Sequence, residues 1–516
     1  MGRPGKWRLH PAMCFLCFLH VVLLLAVSGV DGGSDDGRTL FHDATAHTTT
    51  SLRYTASLRA AADQAALALS HAHDGGGAGQ AWSDCRQLVA FAVGHLNRTA
   101  AGGGGASPSA SDAVAWLGAA RTFLDTCLTG FRELGASPGP EFHASLANAS
   151  RHVADALAVA ALRRRESDTT TKRNATRAGA GVAAMESQSQ GRRGLVTPAD
   201  ADLVVAKDGT GHFCTVNEAL DAAAAMRSDD DGGRVVVYVK AGVYEEHVEV
   251  WTDNLALVGD GIGRTVITGS RSVQGGYTTF SSATFAVNAE GFVACGVTFR
   301  NTAGAAAAQA VALRASGDRA AFYRCGVEGH QDALYAHALR QFYRECAVAG
   351  TVDFVFGDAA AVLQRCGLRV RRPLPGQPAV VTAQGRAARS ERTGFAVHGG
   401  RVSAAARFSG GSAPFATFLG RPWKEFSRVV FIETYLDGTV DAAGWLPWGG
   451  TEAGRDTAFY GEYRNAGPGS ETTGRVRWGG YHVITDPGEA AEFTAEGLLD
   501  AGEWLGSTGI PYTPGL

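Results

Sequence analysis

Two periodicities divide the chain. From about residue 50 to 165, apolar residues recur every three or four positions. Leu117, Ala120, Leu124, Leu128 and Phe131 fall on one helical face, and similar stripes run through Leu58 to Leu69, Leu88 to Leu96 and Leu146 to Leu162. Glycine- or proline-containing breaks separate them: Gly75-Gly76-Gly77, Gly102 to Gly105 and Pro138-Gly139-Pro140. Four helices with short connections predict an up-down bundle. Cys85 and Cys127 fall on the second and third helices, where an oxidising compartment would let them pair.

Beyond residue 200 the helical period disappears and short β-branched runs follow one another, with glycine between: Val235 to Val239, Leu255 to Val258, Val266 to Thr268. Then a repeat emerges. Phe292 to Val297 resembles Phe322 to Val327, and Phe342 to Val348 resembles Val362 to Leu368. Cys295, Cys325, Cys346 and Cys366 mark the same repeat, the first interval longer than the next two. Short strands at that period, with no helices between them, predict a parallel β-helix; a leucine-rich horseshoe lacks its leucine ladder here. Equivalent positions on stacked strands lie ~4.8 Å apart, within Cα reach of a disulfide. If the four cysteines form one ladder, the only neighbour pairing that uses all of them joins Cys295 to Cys325 and Cys346 to Cys366. Buried free thiols are the alternative.

Composition adds a history to this architecture. Arg3, Lys6 and Arg8 precede an apolar run from Met13 to Val27, with small residues at Ala26-Val27-Ser28. Residues 1–28 read as a secretory signal peptide or, if uncleaved, a signal anchor. Three acceptor triplets, at Asn97, Asn148 and Asn174, fit glycosylated, secreted material. Residues 166–194 are polar and end in Gln190-Gly191-Arg192-Arg193-Gly194, which reads either as a dibasic processing site or as a solvated basic linker. A formal net charge of -3 gives no reason to expect nucleic acid as a partner.

The candidate chemistry follows the same period. The interval from Asp332 to Asp353 equals that from Cys325 to Cys346, and the interval from Gln309 to Gln331 exceeds it by a single position. Coils in register would set the two carboxylates side by side on one face, with the glutamines beside them. Two stacked carboxylates do not easily both ionise, which separates a proton donor from a nucleophile. Amides beside them can donate to an oxyanion without adding charge. Tyr335, Phe354 and Phe356 flank the set.

These residues carry a family resemblance. Gly242 to Glu246, Gln309 to Leu313, Gly329-His330-Gln331-Asp332-Ala333-Leu334-Tyr335, Gly350-Thr351-Val352-Asp353-Phe354-Val355-Phe356-Gly357 and Leu419-Gly420-Arg421-Pro422-Trp423 resemble, in order, the signature segments of plant pectin methylesterases. The likeness spans residues 195–516. Residues 50–165 resemble, more weakly, the inhibitor-like pro-region of such precursors. The resemblance implies an N-terminal all-α four-helix bundle followed by an all-β right-handed parallel β-helix that hydrolyses the C6 methyl esters of pectin. Asp353 matches the nucleophile, Asp332 the proton donor and base, and Gln331 the oxyanion stabiliser. Thr279, Gln309, Arg421 and Trp423 match substrate contacts, and Tyr335 and Phe356 line the same face. No metal or organic cofactor is implied. The expected partners are methyl-esterified pectin, a processing protease and a separate inhibitor protein. The expected state is a monomer in the extracellular cell wall.

Several positions depart from the family's pattern. Ala333 stands for a threonine, His330 for a tyrosine and Asp358 for an asparagine, the last adding a carboxylate near Asp353. Gly400 replaces a cysteine usually linked to the position of Cys366, and the pro-region lacks the first cysteine pair of inhibitor domains. Residues 195–516 hold 28 Lys and Arg against 35 Asp and Glu, so a polyanion would hold this domain less strongly than basic relatives. A pectate lyase or polygalacturonase would need a calcium-binding cluster or a different acidic set, and no Gly-x-Ser-x-Gly elbow supports a serine esterase. A catalytically weak pectin-binding or inhibitor-type protein is the alternative reading, against which the intact polar set argues.

Overall fold

A computed structural model describes residues 35–71, 79–101, 108–177, 194–227, 233–405 and 415–516. The apolar stripes become helices α1 (Asp35–Ser70), α2 (Gly79–Ala101), α3 (Ala110–Glu133) and α4 (Pro140–Arg177). α3 packs against both α2 and α4 and is the most buried of the three. Ser109 caps it by accepting from the Asp112 amide. Trp82 packs edge-on against Phe131 and Phe142 with centroids 4.8 and 4.9 Å away, and a Cys85–Cys127 disulfide ties α2 to α3. α4 runs well into the stretch expected to be linker. Its end carries charges rather than an apolar stripe, such as Arg164 and Asp168 at i,i+4, so periodicity does not reveal it. The signal segment and Arg192-Arg193 lie outside the described residues.

From Leu203 onward the chain winds through three parallel sheets of eleven, seven and eight strands. Each coil contributes one strand to each sheet, and the interior fills with stacked side chains. Phe285 lies 4.6 Å from Phe299, and Phe322 stacks on Tyr343 at 4.8 Å. The corner between the eleven- and eight-stranded sheets is a left-handed residue in successive coils: Gly296, Arg324, Glu345 and Arg365, with φ of 67, 50, 53 and 54°. That column fixes the register. A C-terminal segment with short helices at Pro487–Ala491 and Ala495–Leu499, ending in Trp504 and Leu505, covers the outer face of the eleven-stranded sheet.

The column corrects the cysteine ladder. Cys295 pairs in register with Tyr323, two positions before Cys325, and faces the outer cluster. Gly296 is the equivalent of Arg324, so matching the two Cys-Gly pairs misaligns that coil. Cys325, Cys346 and Cys366 do stack inside the coil, but as free thiols, so the expected Cys346–Cys366 and Cys295–Cys325 bridges are not formed. Parallel strands hold those side chains side by side rather than converging. Each thiol donates instead to carbonyls, Cys325 to Tyr323 at 3.4 Å and Cys346 to Phe322 at 3.4 Å. Alkylation of the denatured, unreduced chain followed by peptide mass spectrometry should label Cys325, Cys346 and Cys366 completely; a Cys346–Cys366 linked peptide would contradict the free-thiol ladder.

Candidate active site

The seven-stranded sheet presents the candidate chemistry. Leu334 and Tyr335 pair with Val355 and Phe356, so Asp332 and Asp353, two positions earlier on their coils, are equivalent. Both have positive φ, 61 and 50°, a conformation that aspartate tolerates better than most side chains. The Asp332 amide donates to the Val352 carbonyl at 3.0 Å, holding the two corners together. Gln309 is one place out of the expected register. Leu313 pairs with Leu334, which makes Ala310 rather than Gln309 the equivalent of Gln331. Gln309 nevertheless reaches the same cavity. Thr279, Gln309, Gln331, Asp332, Tyr335, Asp353, Phe356, Arg421 and Trp423 line one cavity of about 650 Å³, whereas Phe354, expected to flank them, packs inside the coil.

Arg421 grips Asp353 through two nitrogens, Nε to Oδ1 at 2.9 Å and Nη2 to Oδ2 at 2.5 Å. Such a bidentate pair fixes orientation as well as charge. The guanidinium lies 4.5 Å from the Trp448 ring centroid. Tyr335 stacks on Phe356 at 4.2 Å, and Trp423 packs 6.1 Å from Phe356. Gly385 makes room for Trp423: a Cβ there would lie 2.7 Å from its ring. Trp448 and Lys424 also line the cavity and have no signal in the spacing that marks the others.

Only 7 and 4% of Asp332 and Asp353 remain exposed. Burial raises both carboxyls. At Asp332 the neighbouring charges of Asp353 and Glu133 push in the same direction, and the carboxyl is held well above the usual range. At Asp353 the Arg421 hydrogen bond and charge oppose burial. The expectation that one carboxyl would be low and one raised becomes an order between two raised groups, because the bundle as well as the coil removes water from the pair. Asp332 keeps its proton longer.

Residues of α3 form one wall of this cavity. Glu133, the last residue of α3, accepts from the Thr279 amide at 2.8 Å and hydroxyl at 2.7 Å. Asp84 of α2 accepts from Thr278, Thr126 bonds His337 at 2.9 Å, and Lys424 pairs with Asp125 at 2.5 Å. Nothing local in the sequence marks Glu133; only the fold brings it to Thr279. Asp358 does not line the cavity. Its carboxyl meets Thr122 of α3 at 2.8 Å and Thr393 at 2.6 Å, and burial with nearby Glu391 pushes it up to about 7.

Fold and cavity together define a parallel β-helix protein with two paired carboxyls in a cleft and a helical domain packed against it. Comparison with known proteins gives the family. The pectinesterase family matches residues 202–502, and the plant invertase/pectin methylesterase inhibitor family matches residues 37–159. Pectinesterase 2 of Citrus sinensis is 43% identical over 449 residues, covering 84% of this chain and 82% of that one. Probable pectinesterase/pectinesterase inhibitor 59 of Arabidopsis thaliana is 44% identical over 442 residues, covering 84 and 81%. The structure of pectin methylesterase from carrot superposes with a TM-score of 0.60 at 46% identity, covering 62% of this chain and all of that one. The chain belongs to the pectinesterase family and is a carboxylic ester hydrolase with an inhibitor-like domain at its N-terminal side.

Arg421→Gln should remove the charge that opposes burial at Asp353. The carboxyl would then rise further, and any step that uses ionised Asp353 would be lost at higher pH. In pH–rate profiles the acid limb should move upward by about one unit or more, since one unit corresponds to ~1.4 kcal/mol of lost interaction. An unmoved acid limb would show that Asp353 does not set it.

Proposed function

We propose that the enzyme removes C6 methyl esters from pectin through a covalent intermediate on Asp353. The observation that carries this reading is the bidentate Arg421–Asp353 pair beside the more strongly raised Asp332, with Gln309 and Gln331 in the same cavity. An Asp353 oxygen attacks the ester carbonyl. The Gln331 amide, with Gln309 beside it, donates to the developing oxyanion. The tetrahedral species collapses to an acyl-Asp353 anhydride, and Asp332 gives its proton to the departing methoxide, releasing methanol. Asp332, now ionised, takes a proton from water; the hydroxide attacks the sugar acyl carbon, freeing a galacturonate carboxylate and Asp353. Thr279 and Trp423 contact the sugar, with Tyr335 and Phe356 forming the apolar floor. The mechanism requires no cofactor.

The precursor reading comes from the sequence, and the contacts of the helical domain at the cleft give it a motive. Residues 1–28 direct secretion to the cell wall, residues 50–165 act as a pro-region, a protease cuts near Arg192-Arg193, and residues 195–516 work as a monomeric enzyme. Glu133 on Thr279, and α3 across the cleft, supply a reason why cutting would matter. A separate inhibitor protein would approach the same cleft after processing.

Asp353→Asn should abolish methanol release from methylated pectin while pectin binding survives. Residual turnover above about one per cent would point to another nucleophile, since losing a covalent catalyst costs several orders of magnitude. Asp332→Asn should slow both formation and breakdown of the intermediate and change the pH–rate profile; a near-normal rate with an unchanged profile would assign the proton to another group. A chain with Arg192 and Arg193 both replaced by alanine, verified as uncut, should be weakly active. Full activity would reject the processing step and leave the esterase mechanism standing.

A further inference from the structure

The seam between the helices and the β-helix is rich in arginine, and most of its guanidiniums have a carboxylate partner. Arg98 meets Glu290 at 2.7 Å and Arg121 meets Glu391 at 3.0 Å. Arg164 and Arg392 share Asp500 at 2.9 and 2.5 Å, and Arg340 reaches both Asp112 and Asp318 at 2.6 and 2.5 Å. One place breaks the pattern. Arg386, Arg389 and Arg428 of the β-helix and Arg165 of α4 line a cavity of about 460 Å³, and among the described residues none of the four makes an ion pair.

Their hydrogen bonds go to neutral groups. Arg428 donates to the carbonyls of Thr393 and Arg392, both at 2.8 Å. Arg386 donates to the Arg389 carbonyl, and its Nε is buried without a partner. Arg389 lies 5.1 Å from the Phe426 ring centroid. Burial pushes Arg428 well below its ordinary range, with the charges of Arg386 and Arg392 adding to the effect. Arg386 is lowered by burial too; Arg389 and Arg165 add to this, and Glu391 and Asp358 oppose it. A guanidinium does not shed its proton in response, so the repulsion stays in the structure unless a counter-charge enters.

The carboxylates on the wall do not supply that charge. Glu391 is engaged by Arg121 and by the amides of Ala387 and Ala388 at 2.8 and 2.9 Å, and Asp168 faces Arg164. Glu492 favours the charged form of Arg428 but forms no ion pair with it among the described residues. With Arg164 and Arg392, six arginines line the cavity against three carboxylates.

We propose that this cavity is an anion site that takes a compact oxyanion, the carboxylate of an acidic sugar or a phosphate group, bound between Arg165 of α4 and the segment carrying Arg386 and Arg389, with Arg428 at its base. The forked donors of arginine suit either group. An anion held from both sides ties the helical domain to the β-helix, independently of the ester chemistry in the cleft.

The test uses the full chain kept uncut by Arg192→Ala and Arg193→Ala. Its thermal unfolding is followed against inorganic phosphate and, separately, trigalacturonate, with chloride holding ionic strength constant. Because the cleft itself takes galacturonate in the proposed reaction, a saturable rise in midpoint temperature supports the site only where Arg165→Gln/Arg389→Gln weakens it, and which anion acts in that way identifies the source of the oxyanion. In Arg165→Gln/Arg389→Gln, which alters two exposed side chains, the half-saturating concentration should increase about tenfold, equivalent to ~1.4 kcal/mol of binding. Arg98→Gln, which removes an already paired guanidinium elsewhere on the same seam, should leave it unchanged. The proposal is overturned if neither anion acts beyond chloride, or if the double variant responds like its parent.

Discussion

The candidate site depends on parallel coils stacking in one register. The left-handed column at Gly296, Arg324, Glu345 and Arg365 locks each coil to the next, and the pairing of Leu334 with Val355 carries that lock to the opposite sheet. A slip by a single position would turn every side chain to the other face. In register, Asp332 and Asp353 meet, and the interior column of Phe322 and Tyr343 keeps them so. The scaffold thus holds two carboxyls closer together than their charges favour, and Arg421 offsets part of that cost, through hydrogen bonds and charge at Asp353 and through charge alone at Asp332.

The second domain acts on this centre through burial. α3 sets Glu133 on Thr279, Thr122 against Asp358 and Asp125 against Lys424. Glu133, Asp84 and Asp358 are all raised, in each case chiefly because contact removes them from water. The seam therefore adds to its aromatic contacts, such as Phe91 on Trp251, a set of desolvated polar pairs whose breaking would leave charge unsatisfied. Such a surface holds only when its partners match, which suits a domain meant to sit in one place over one cleft.

Much of this was legible in the sequence. Helical stripes gave α2, α3 and α4. The recurring interval from Cys325 to Cys346 and on to Cys366 gave the coil, and with it the Asp332–Asp353 pair. Arg421 and Trp423 came from the family resemblance alone, since nothing in their own spacing points to the cleft. What stayed hidden had physical causes. The Cys-Gly repeat misaligned Cys295 because this left-handed corner holds glycine in one coil and arginine in the next, so the structural equivalent of Gly296 is Arg324 rather than Gly326. Stacked thiols looked like disulfides because Cα spacing permits a bridge, whereas side-chain direction decides it. The charged end of α4 has no stripe to read. Glu133, Trp448 and the Arg386–Arg428 cluster depend on contacts between distant segments, which spacing does not encode.

The most direct measurement concerns the bond to Asp353. Turnover of methylated oligogalacturonate in the presence of hydroxylamine diverts an acyl-carboxylate anhydride to hydroxamates, some of them formed on the enzyme's own carboxyl. Peptide mass spectrometry should then find substrate-dependent hydroxamate at Asp353, none at Asp332, and none anywhere without substrate. Sustained methanol release in hydroxylamine with Asp353 unmodified and no sugar hydroxamate, or modification of Asp332 instead, would contradict the account.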